Sequence, residues 1–280
     1  MPNAENRRSL NRSPELVSAA TYDRVVDSPI ASVWENVFDW EHLPWLHRQA
    51  FSSIECKDSG DWGWQAEIGF PGGDRAEIEL IADRDAGCYV SRTISGPGSP
   101  GEIWTALDSV DALRTAVRVD FLVEARPPDI LKRIGIAYQG LYAELWDQDA
   151  EMMQVRDGID SKGHDPAPLD SQTSEGVDLG PWPELAPRLP LVVRFAGHRF
   201  RIVESAGEVL AHSAECPHWR GPLTDCVVDE GIVTCPWHGY RFEVASGLSA
   251  DGRSMKLRPA PKVVIDSGSK RVRLVERGDG

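Results

Sequence analysis

The chain has 280 residues, of which 41% are hydrophobic and 26% are charged, and its formal net charge at pH 7 is −14. This length predicts two domains, and this composition is typical of a globular protein rather than a disordered or fibrous one. The negative charge disfavours binding to nucleic acid, because the phosphate backbone is negatively charged as well. An acidic surface would attract a basic face on an electron-donor protein, but we prefer the simpler explanation that the charge serves solubility alone.

The apolar runs, the N-terminus and the cysteines of the chain indicate where in the cell the protein is located. No run of apolar residues is long enough for a membrane-spanning helix, so no membrane span is predicted. The polar N-terminus lacks the apolar core of a secretion signal, and we interpret residues 1–18 as a flexible tail. The five cysteines are scattered and do not form the pattern of a disulfide framework. These features predict a reducing, cytoplasmic location.

The first predicted elements are a strand and a helix. Residues 21–27 alternate weakly and predict a strand. Ser28 and Pro29 then predict a helix start, with Ser28 as its cap and Pro29 at its first position. Pro44 is expected to interrupt this helix. Its apolar residues recur at helical spacing and are Ile30, Val33, Trp34, Val37 and Phe38.

The middle of the chain predicts a sheet that is followed by a long helix. Residues 50–124 have the alternation and turn signals of antiparallel strands, and residues 129–156 have a helical pattern. Residues 157–187 are rich in Gly, Pro, Ser and Asp, which is typical of a linker. The order of strand, helix, strand meander and long helix resembles the START-type helix-grip fold. That resemblance implies a sheet around a long helix, with a cavity for an apolar ligand.

Two short motifs near the C-terminus each offer one thiolate and one imidazole: Cys216-Pro-His218 and Cys235-Pro-Trp-His238. In a Rieske [2Fe–2S] cluster, two histidines replace two cysteines on one of the irons. A zinc site is the alternative, but zinc fingers usually pair their cysteines in one motif and their histidines in another. The run CPHWRGPL…CPWHGYRF resembles the ligand loops of the Rieske family. The resemblance implies that Cys216 and Cys235 hold one iron, and that His218 and His238 hold the other.

The resemblance to the Rieske family covers about residues 188–278. High-potential members of that family carry two further cysteines in these loops, at places that Gly221 and Trp237 occupy here. The chain therefore resembles the low-potential oxygenase or ferredoxin type. The predicted fold class is α+β, with a START-like helix-grip domain at residues 19–156 and a small all-β Rieske domain at residues 188–278.

A second set of candidate ligands follows the first helix. The spacing Asp39-x-x-His42-x-x-x-x-His47 resembles the iron motif of Rieske non-haem iron oxygenases, whose catalytic domain is also of helix-grip type. The resemblance implies that His42 and His47 bind a mononuclear iron. It also implies that Asp39 is a catalytic carboxylate that bridges an iron-ligand histidine and a cluster-ligand histidine. In an unbroken helix the two imidazoles would diverge by about 140°, so Pro44 is expected to re-aim the second turn.

The long helix offers the carboxylate that would complete a facial triad with two histidines. Its apolar positions are Ile134, Tyr138, Leu141, Leu145 and Met152, and Asp149 falls on the same side. A buried carboxylate is costly unless it is paired or binds a metal ion. Asp147 lies on the opposite face. We therefore expect Asp149 to be the third iron ligand.

These resemblances together predict a Rieske-type oxygenase whose cluster domain follows its catalytic domain, the reverse of the usual order. They imply that NAD(P)H, through a reductase or ferredoxin, reduces the [2Fe–2S] cluster. The cluster would feed a mononuclear Fe(II) that activates O2 for hydroxylation, demethylation or desaturation of a hydrophobic small molecule. The family commonly forms a homo-trimer in which one subunit's cluster serves its neighbour, whereas a flexible linker would let both centres of one chain meet. The alternative is an electron-transfer or ligand-binding protein without catalytic iron.

Overall fold

The chain divides into two compact units, Met1–Ile159 and Asp160–Gly280. The computed structural model describes residues 10–158, 172–173 and 176–277. Within these ranges no helix is both long and apolar enough to cross a membrane.

The N-terminal unit is built on one antiparallel sheet. Its strands occur in the spatial order β1-β7-β6-β5-β4-β3-β2, so β1 and β2 form the two edges. The strands are β1 (Leu16–Val26), β2 (Ser53–Gly60), β3 (Gly63–Gly69), β4 (Arg75–Asp83), β5 (Cys88–Ser95), β6 (Gly101–Asp111) and β7 (Arg114–Glu124).

Three helices accompany this sheet: α1 (Ile30–Phe38), α2 (Leu43–Leu46) and α3 (Pro128–Asp157). Alternate residues of β7 are buried, as the sequence pattern predicts for a strand with one face on the core. On that face the ring of Phe121 stacks on Tyr138 of α3, with ring centroids 4.9 Å apart. A sheet that packs one face on a long helix is the START-like helix-grip arrangement, and the fold predicted for this part of the chain is confirmed.

The start of α1 differs from the prediction. The helix begins at Ile30, its N-cap residue is Pro29, and no side chain caps it. Ser28 is fully buried, and its carbonyl oxygen accepts a hydrogen bond of 2.9 Å from the hydroxyl of Thr115. The predicted capping role of Ser28 is therefore wrong, because its backbone ties the loop to β7 instead.

The tail predicted at residues 1–18 is too long. Residues 1–9 lie outside the described residues, but β1 already begins at Leu16. The guanidinium of Arg12 lies 2.6 Å from the carboxylate of Asp120, and the backbone N–H of Ser13 donates to Glu102 over 3.2 Å. These carboxylates lie about a hundred positions further along the chain, so local composition could not reveal them.

The C-terminal unit consists of small antiparallel sheets. Their strand orders are β10-β11-β12, β13-β14-β15 and β16-β17-β9-β8. The strands are β8 (Gln172–Thr173), β9 (Gly176–Pro181), β10 (Leu191–Phe195), β11 (His198–Ser205), β12 (Glu208–Ser213), β13 (Val228–Asp229), β14 (Ile232–Thr234), β15 (Arg241–Glu243), β16 (Lys262–Ile265) and β17 (Arg271–Val275), and a short helix, α4, spans Trp182–Leu185.

The predicted boundary between linker and second domain needs a correction. Strand β9 pairs with β17, so the C-terminal unit includes residues that were assigned to the linker at 157–187. Val177 and Leu179 are buried in the core of that unit, with exposed fractions of 0% and 7%. The glycines and prolines around them gave this segment a linker-like composition. Residues 159–171 and 174–175 of the predicted linker lie outside the described residues.

Candidate metal centres

The two N-terminal histidines flank the short helix α2. Helix α1 ends at Phe38, a 3₁₀ turn spans Trp40–His42, and α2 follows at once. His42 ends the 3₁₀ turn directly before α2, and His47 is the C-cap residue of α2, with a backbone conformation outside the helical region at φ −105° and ψ 39°. Pro44 lies in the first turn of α2, where proline is tolerated. It therefore does not interrupt the first helix as predicted, since that helix ends at Phe38.

Both imidazoles meet one carboxylate of α3. Nε2 of His47 lies 3.0 Å from Oδ1 of Asp149, and Nε2 of His42 lies 3.5 Å from the same oxygen. One ligand atom from each side chain lies within 4.8 Å of the others, and all three residues are buried. Two imidazole nitrogens and one carboxylate oxygen that converge in this way form a donor set that suits a divalent transition metal.

The electrostatics of this cluster favour a cation. Burial by itself lowers the pKa of His47, but the charge of Asp149 and a hydrogen bond to it outweigh burial, and the pKa of His47 is raised. The carboxylate therefore stabilises positive charge at Nε2 of His47. A metal ion that replaced the proton on this nitrogen would use the same attraction.

Asp39 and Gln148 contact the outer edges of the two imidazoles. Oδ2 of Asp39, the predicted bridging carboxylate, lies 3.5 Å from Nδ1 of His42. Oε1 of Gln148 lies 2.6 Å from Nδ1 of His47. Gln148 was assigned no role from its place in the sequence, although its position next to Asp149 was a usable signal.

The cluster opens on a cavity of about 230 Å³ inside the N-terminal unit. Asp39, His42, His47 and Asp149 form part of its wall. Asn36 also lines it, and its amide oxygen has no hydrogen-bond partner among the described residues. Most of the remaining wall is apolar or aromatic and includes Phe51, Trp64, Ile68, Phe70, Ile78, Leu80, Tyr89, Ile103, Tyr138, Leu141, Tyr142, Leu145 and Trp146. An apolar cavity with a few convergent polar groups is the usual form of a small-molecule site.

The four C-terminal ligand candidates lie in two tight loops. Cys216 and His218 follow β12, and the backbone N–H of Cys216 donates to Gly221 over 2.8 Å. Cys235 and His238 follow β14, in a loop that backbone hydrogen bonds close in the same way. Proline and glycine beside the ligands permit such turns.

In these loops the two thiols lie next to each other, and so do the two imidazoles. The thiols of Cys216 and Cys235 are buried, and the Nδ1 atoms of His218 and His238 lie 3.3 Å apart. A hydrogen bond from Cys216 lowers the pKa of the Cys235 thiol, and the same pairing raises the pKa of Cys216. A side chain at Gly221 would put its Cβ only 2.7 Å from Sγ of Cys235, so glycine keeps room beside the sulfur. The residues present fit a cluster with two thiolate and two imidazole ligands.

Cys226 is not part of this set. Its thiol lies 3.5 Å from the carbonyl oxygen of Pro222, and burial raises its pKa to about 11.

Comparison with known proteins identifies the C-terminal part. Residues 177–262 match the family model of the Rieske [2Fe-2S] domain. A segment of 46 residues is 41% identical to apoptosis-inducing factor 3 of Mus musculus and of Homo sapiens, which covers 16% of this chain. The match spans only 8% of the length of those relatives.

Solved structures resemble each part of the chain at low identity. Zhui aromatase/cyclase from Streptomyces sp. R1128 is 14% identical with a TM-score of 0.43, over 53% of this chain and 98% of that one. Norcoclaurine synthase from Thalictrum flavum is 15% identical with a TM-score of 0.40, over 52% and 95%. The ferredoxin of carbazole 1,9a-dioxygenase from Nocardioides aromaticivorans IC177 is 26% identical with a TM-score of 0.32, over 37% and 100%.

Proposed function

We propose that this chain, in which a START-like domain precedes a Rieske [2Fe-2S] domain, is a Rieske-type non-haem iron oxygenase. Cys216, His218, Cys235 and His238 would hold the [2Fe–2S] cluster. His42, His47 and Asp149 would hold a mononuclear Fe(II). The substrate would be a hydrophobic small molecule, bound in the cavity of the N-terminal domain.

One observation carries this proposal. Three buried side chains, two of them five positions apart and the third over a hundred positions away, bring their ligand atoms within 4.8 Å of one another at the wall of an apolar cavity. Two histidines and one carboxylate with open positions are typical of non-haem Fe(II) oxygenases. A carrier of electrons or ligands would have no need of this buried polar group, which is costly to desolvate.

The metal centres, Asp39 and the cavity walls would each have a separate role in the reaction. The [2Fe–2S] cluster would supply single electrons, and Fe(II) in the triad would supply the site at which O2 is reduced. Asp39 faces Nδ1 of His42, which leaves Nε2 of that ring directed at Asp149. The aromatic and aliphatic walls would exclude water and bind the apolar body of the substrate. The product would be a hydroxylated, demethylated or desaturated compound.

Electrons must enter from outside the chain. We propose that a reductase or ferredoxin, drawing on NAD(P)H, reduces the cluster in the cytoplasm. Asp39 would then act as the carboxylate that connects His42 with a cluster-ligand histidine. Electron transfer would occur between neighbouring subunits of a homo-trimer or between the two domains of one chain.

Iron analysis tests the proposal. The oxygenase should hold the two irons of the cluster and one further iron per chain, whereas a carrier of electrons or ligands should hold only the cluster iron. His42→Ala should remove the additional iron and the turnover but keep the visible spectrum of the cluster. His198→Ala is a matched control, because His198 lies on β11 in the other domain and is exposed. Iron that never exceeds the cluster content in the wild type, or turnover that survives in His42→Ala, would refute the proposal.

A further inference from the structure

We propose that Gln148 is a positioning residue that sets the tautomer and the orientation of His47, an inference that rests on the proposed iron site. Its side-chain oxygen Oε1 lies 2.6 Å from Nδ1 of His47, the shortest contact that the structure gives to this ring. On the other side of the ring, Nε2 faces the carboxylate of Asp149. Gln148 therefore holds the nitrogen that would not bind the metal.

The chemistry of the amide decides which nitrogen of His47 keeps its proton. A carbonyl oxygen can only accept a hydrogen bond, so Nδ1 of His47 must carry the proton that it donates to Gln148. In the neutral ring the lone pair is then on Nε2, the atom that faces Asp149. If the amide were reversed, its NH₂ group would face Nδ1 and the proton would move to Nε2, where it would block a metal ion.

A second glutamine holds the amide of Gln148 in the useful orientation. Nε2 of Gln148 donates to Oε1 of Gln49 over 3.4 Å, which keeps Oε1 of Gln148 turned toward His47. Gln49 follows the ligand His47 by two positions, and Gln148 precedes the ligand Asp149 by one. The two glutamines therefore connect the segment after α2 with helix α3 directly beside the ligands.

The need for this contact follows from the shortness of α2, whose residue Leu43 packs against the core without being fully buried. The helix has only four residues, Leu43–Leu46, and none of them is buried. His47 ends this helix with a backbone conformation outside the helical region, at φ −105° and ψ 39°. A metal ligand on so short a helix needs side-chain contacts to hold its ring in one position. Gln148 supplies such a contact from α3, the long helix that also carries Asp149.

The two histidines differ in their outer partner. Nδ1 of His42 faces the carboxylate of Asp39, whereas Nδ1 of His47 faces a neutral amide. A carboxylate makes its histidine a more basic ligand, and an amide orients the ring without adding charge. Replacing Gln148 by Glu should therefore preserve the orientation of His47, because a carboxylate oxygen also accepts from Nδ1.

Iron affinity separates this positioning role from a general effect on folding. The full-length protein with its cluster intact is freed of the third iron by a chelator and then dialysed anaerobically against Fe²⁺ at increasing concentration. Gln148→Leu should weaken Fe²⁺ binding by about 10- to 100-fold, the usual effect of losing an outer partner of a ligand. Gln148→Glu should bind Fe²⁺ much more tightly than Gln148→Leu. Gln139→Leu is the matched control on α3, where Gln139 donates to the carbonyl of Thr21 over 2.7 Å.

The other outcomes would contradict either the positioning role of Gln148 or the proposed iron site itself. Wild-type affinity in Gln148→Leu, or equal weakness in Gln148→Leu and Gln148→Glu, would remove the positioning role while leaving the iron site intact. If Gln139→Leu bound Fe²⁺ as weakly as Gln148→Leu, the loss of any glutamine hydrogen bond from α3 would have the same effect, and the positioning role of Gln148 would be refuted as well. If the wild type bound no iron beyond its cluster, the proposed oxygenase function itself would fail, together with this inference.

Discussion

Gly135 of α3 lies against the backbone of Ala19 in β1 so closely that a Cβ atom at position 135 would sit 2.4 Å from the carbonyl oxygen of Ala19. The ladder between β1 and β7 has an irregularity between Ser18 and Ala20, at the same place. Helix and strand therefore meet backbone to backbone. Because the helix that packs here also carries Asp149, this contact bears on the geometry of the proposed metal site as well as on stability.

The first prediction concerns two glycines of α3. Gly135→Ala should destabilise the N-terminal domain by about 1–3 kcal/mol, because the methyl group forces α3 away from β1. Gly140→Ala is the matched control, since nothing lies within 4 Å of a Cβ atom at that position. It should stabilise the domain by up to about 1 kcal/mol through the higher helix propensity of alanine. Urea denaturation monitored by tryptophan fluorescence measures both changes, and equal effects of the two variants would contradict the close contact.

The second prediction concerns Asp39. Asp39→Asn should keep both the cluster and the proposed third iron, since Asp39 faces Nδ1 of His42 rather than Nε2. If the carboxylate connects the two centres, reoxidation of the pre-reduced cluster by O2 in the presence of substrate should slow by at least about tenfold, or 1.4 kcal/mol of barrier. Stopped-flow absorbance of the cluster measures this rate.

Asp147→Asn is the control for Asp39→Asn, because Asp147 is an exposed carboxylate that pairs with Arg24 over 2.9 Å. It should leave the reoxidation rate unchanged. An unchanged rate in Asp39→Asn, with full iron content, would rule out the bridging role.

The sequence predicted correctly those elements in which one face packs on the core along the whole length of the element. Alternation in β7 was correct because one face of that strand packs on the core throughout. The apolar stripe of α3 predicted correctly which side of the helix faces inward, since Asp149 is buried and Asp147 is exposed. Leu141 and Leu145 on the same stripe line the cavity rather than the packed core, so the stripe marks the binding site as well as the core. Periodicity cannot separate these two environments.

The features that sequence reasoning missed depend on partners far along the chain. Ser28 has the chemistry of a helix cap, but its carbonyl is bound by Thr115. Residues 176–181 have linker-like composition, but they pair with the last strand. Gln148 borders the apolar stripe, but its role depends on His47, which is 101 positions away. The resemblance of the spacing of Asp39, His42 and His47 to a family motif suggested a common site, whereas the non-helical backbone of His47 at the end of α2 could not be read from it.

The third prediction concerns the reduction potential of the cluster. The guanidinium carbon of Arg253 lies 3.9 Å from the ring centroid of Tyr240, and that ring lies 4.8 Å from the ring of His218. A fixed cation near the cluster stabilises its reduced form, which carries one more negative charge. Arg253→Gln should therefore lower the potential, by roughly a few tens of millivolts at low salt.

Because Arg253 is exposed, salt should screen its effect on the potential. Arg253→Lys keeps the charge and should keep most of the potential. A spectroelectrochemical titration at two ionic strengths measures these shifts. A potential that does not fall in Arg253→Gln at low salt would contradict the electrostatic account.

The fourth prediction concerns acid stability. His212 is buried, with an exposed fraction of 1%, and burial lowers its pKa to about 4, with a further contribution from the charge of Arg201. In the unfolded chain the imidazole would take up a proton near pH 6.5. Between pH 6.5 and 4 the unfolded state thus binds a proton that the folded state does not, so stability should fall as the pH is lowered through this window. At pH 5.5 the loss should be about 1.4 kcal/mol.

His212→Gln provides the comparison, because glutamine does not titrate. The variant can be less stable at every pH, since it changes a buried side chain, but its stability should decline less than that of the wild type between pH 7.5 and 5.5. Urea denaturation at pH 7.5, 6.5 and 5.5, monitored by the visible absorbance of the cluster, gives the two slopes. Carboxylates and other histidines contribute to both slopes equally, so their difference isolates His212. Parallel slopes would mean that His212 takes up its proton in the folded protein as readily as in the unfolded chain, and that its burial imposes no penalty on the charged form.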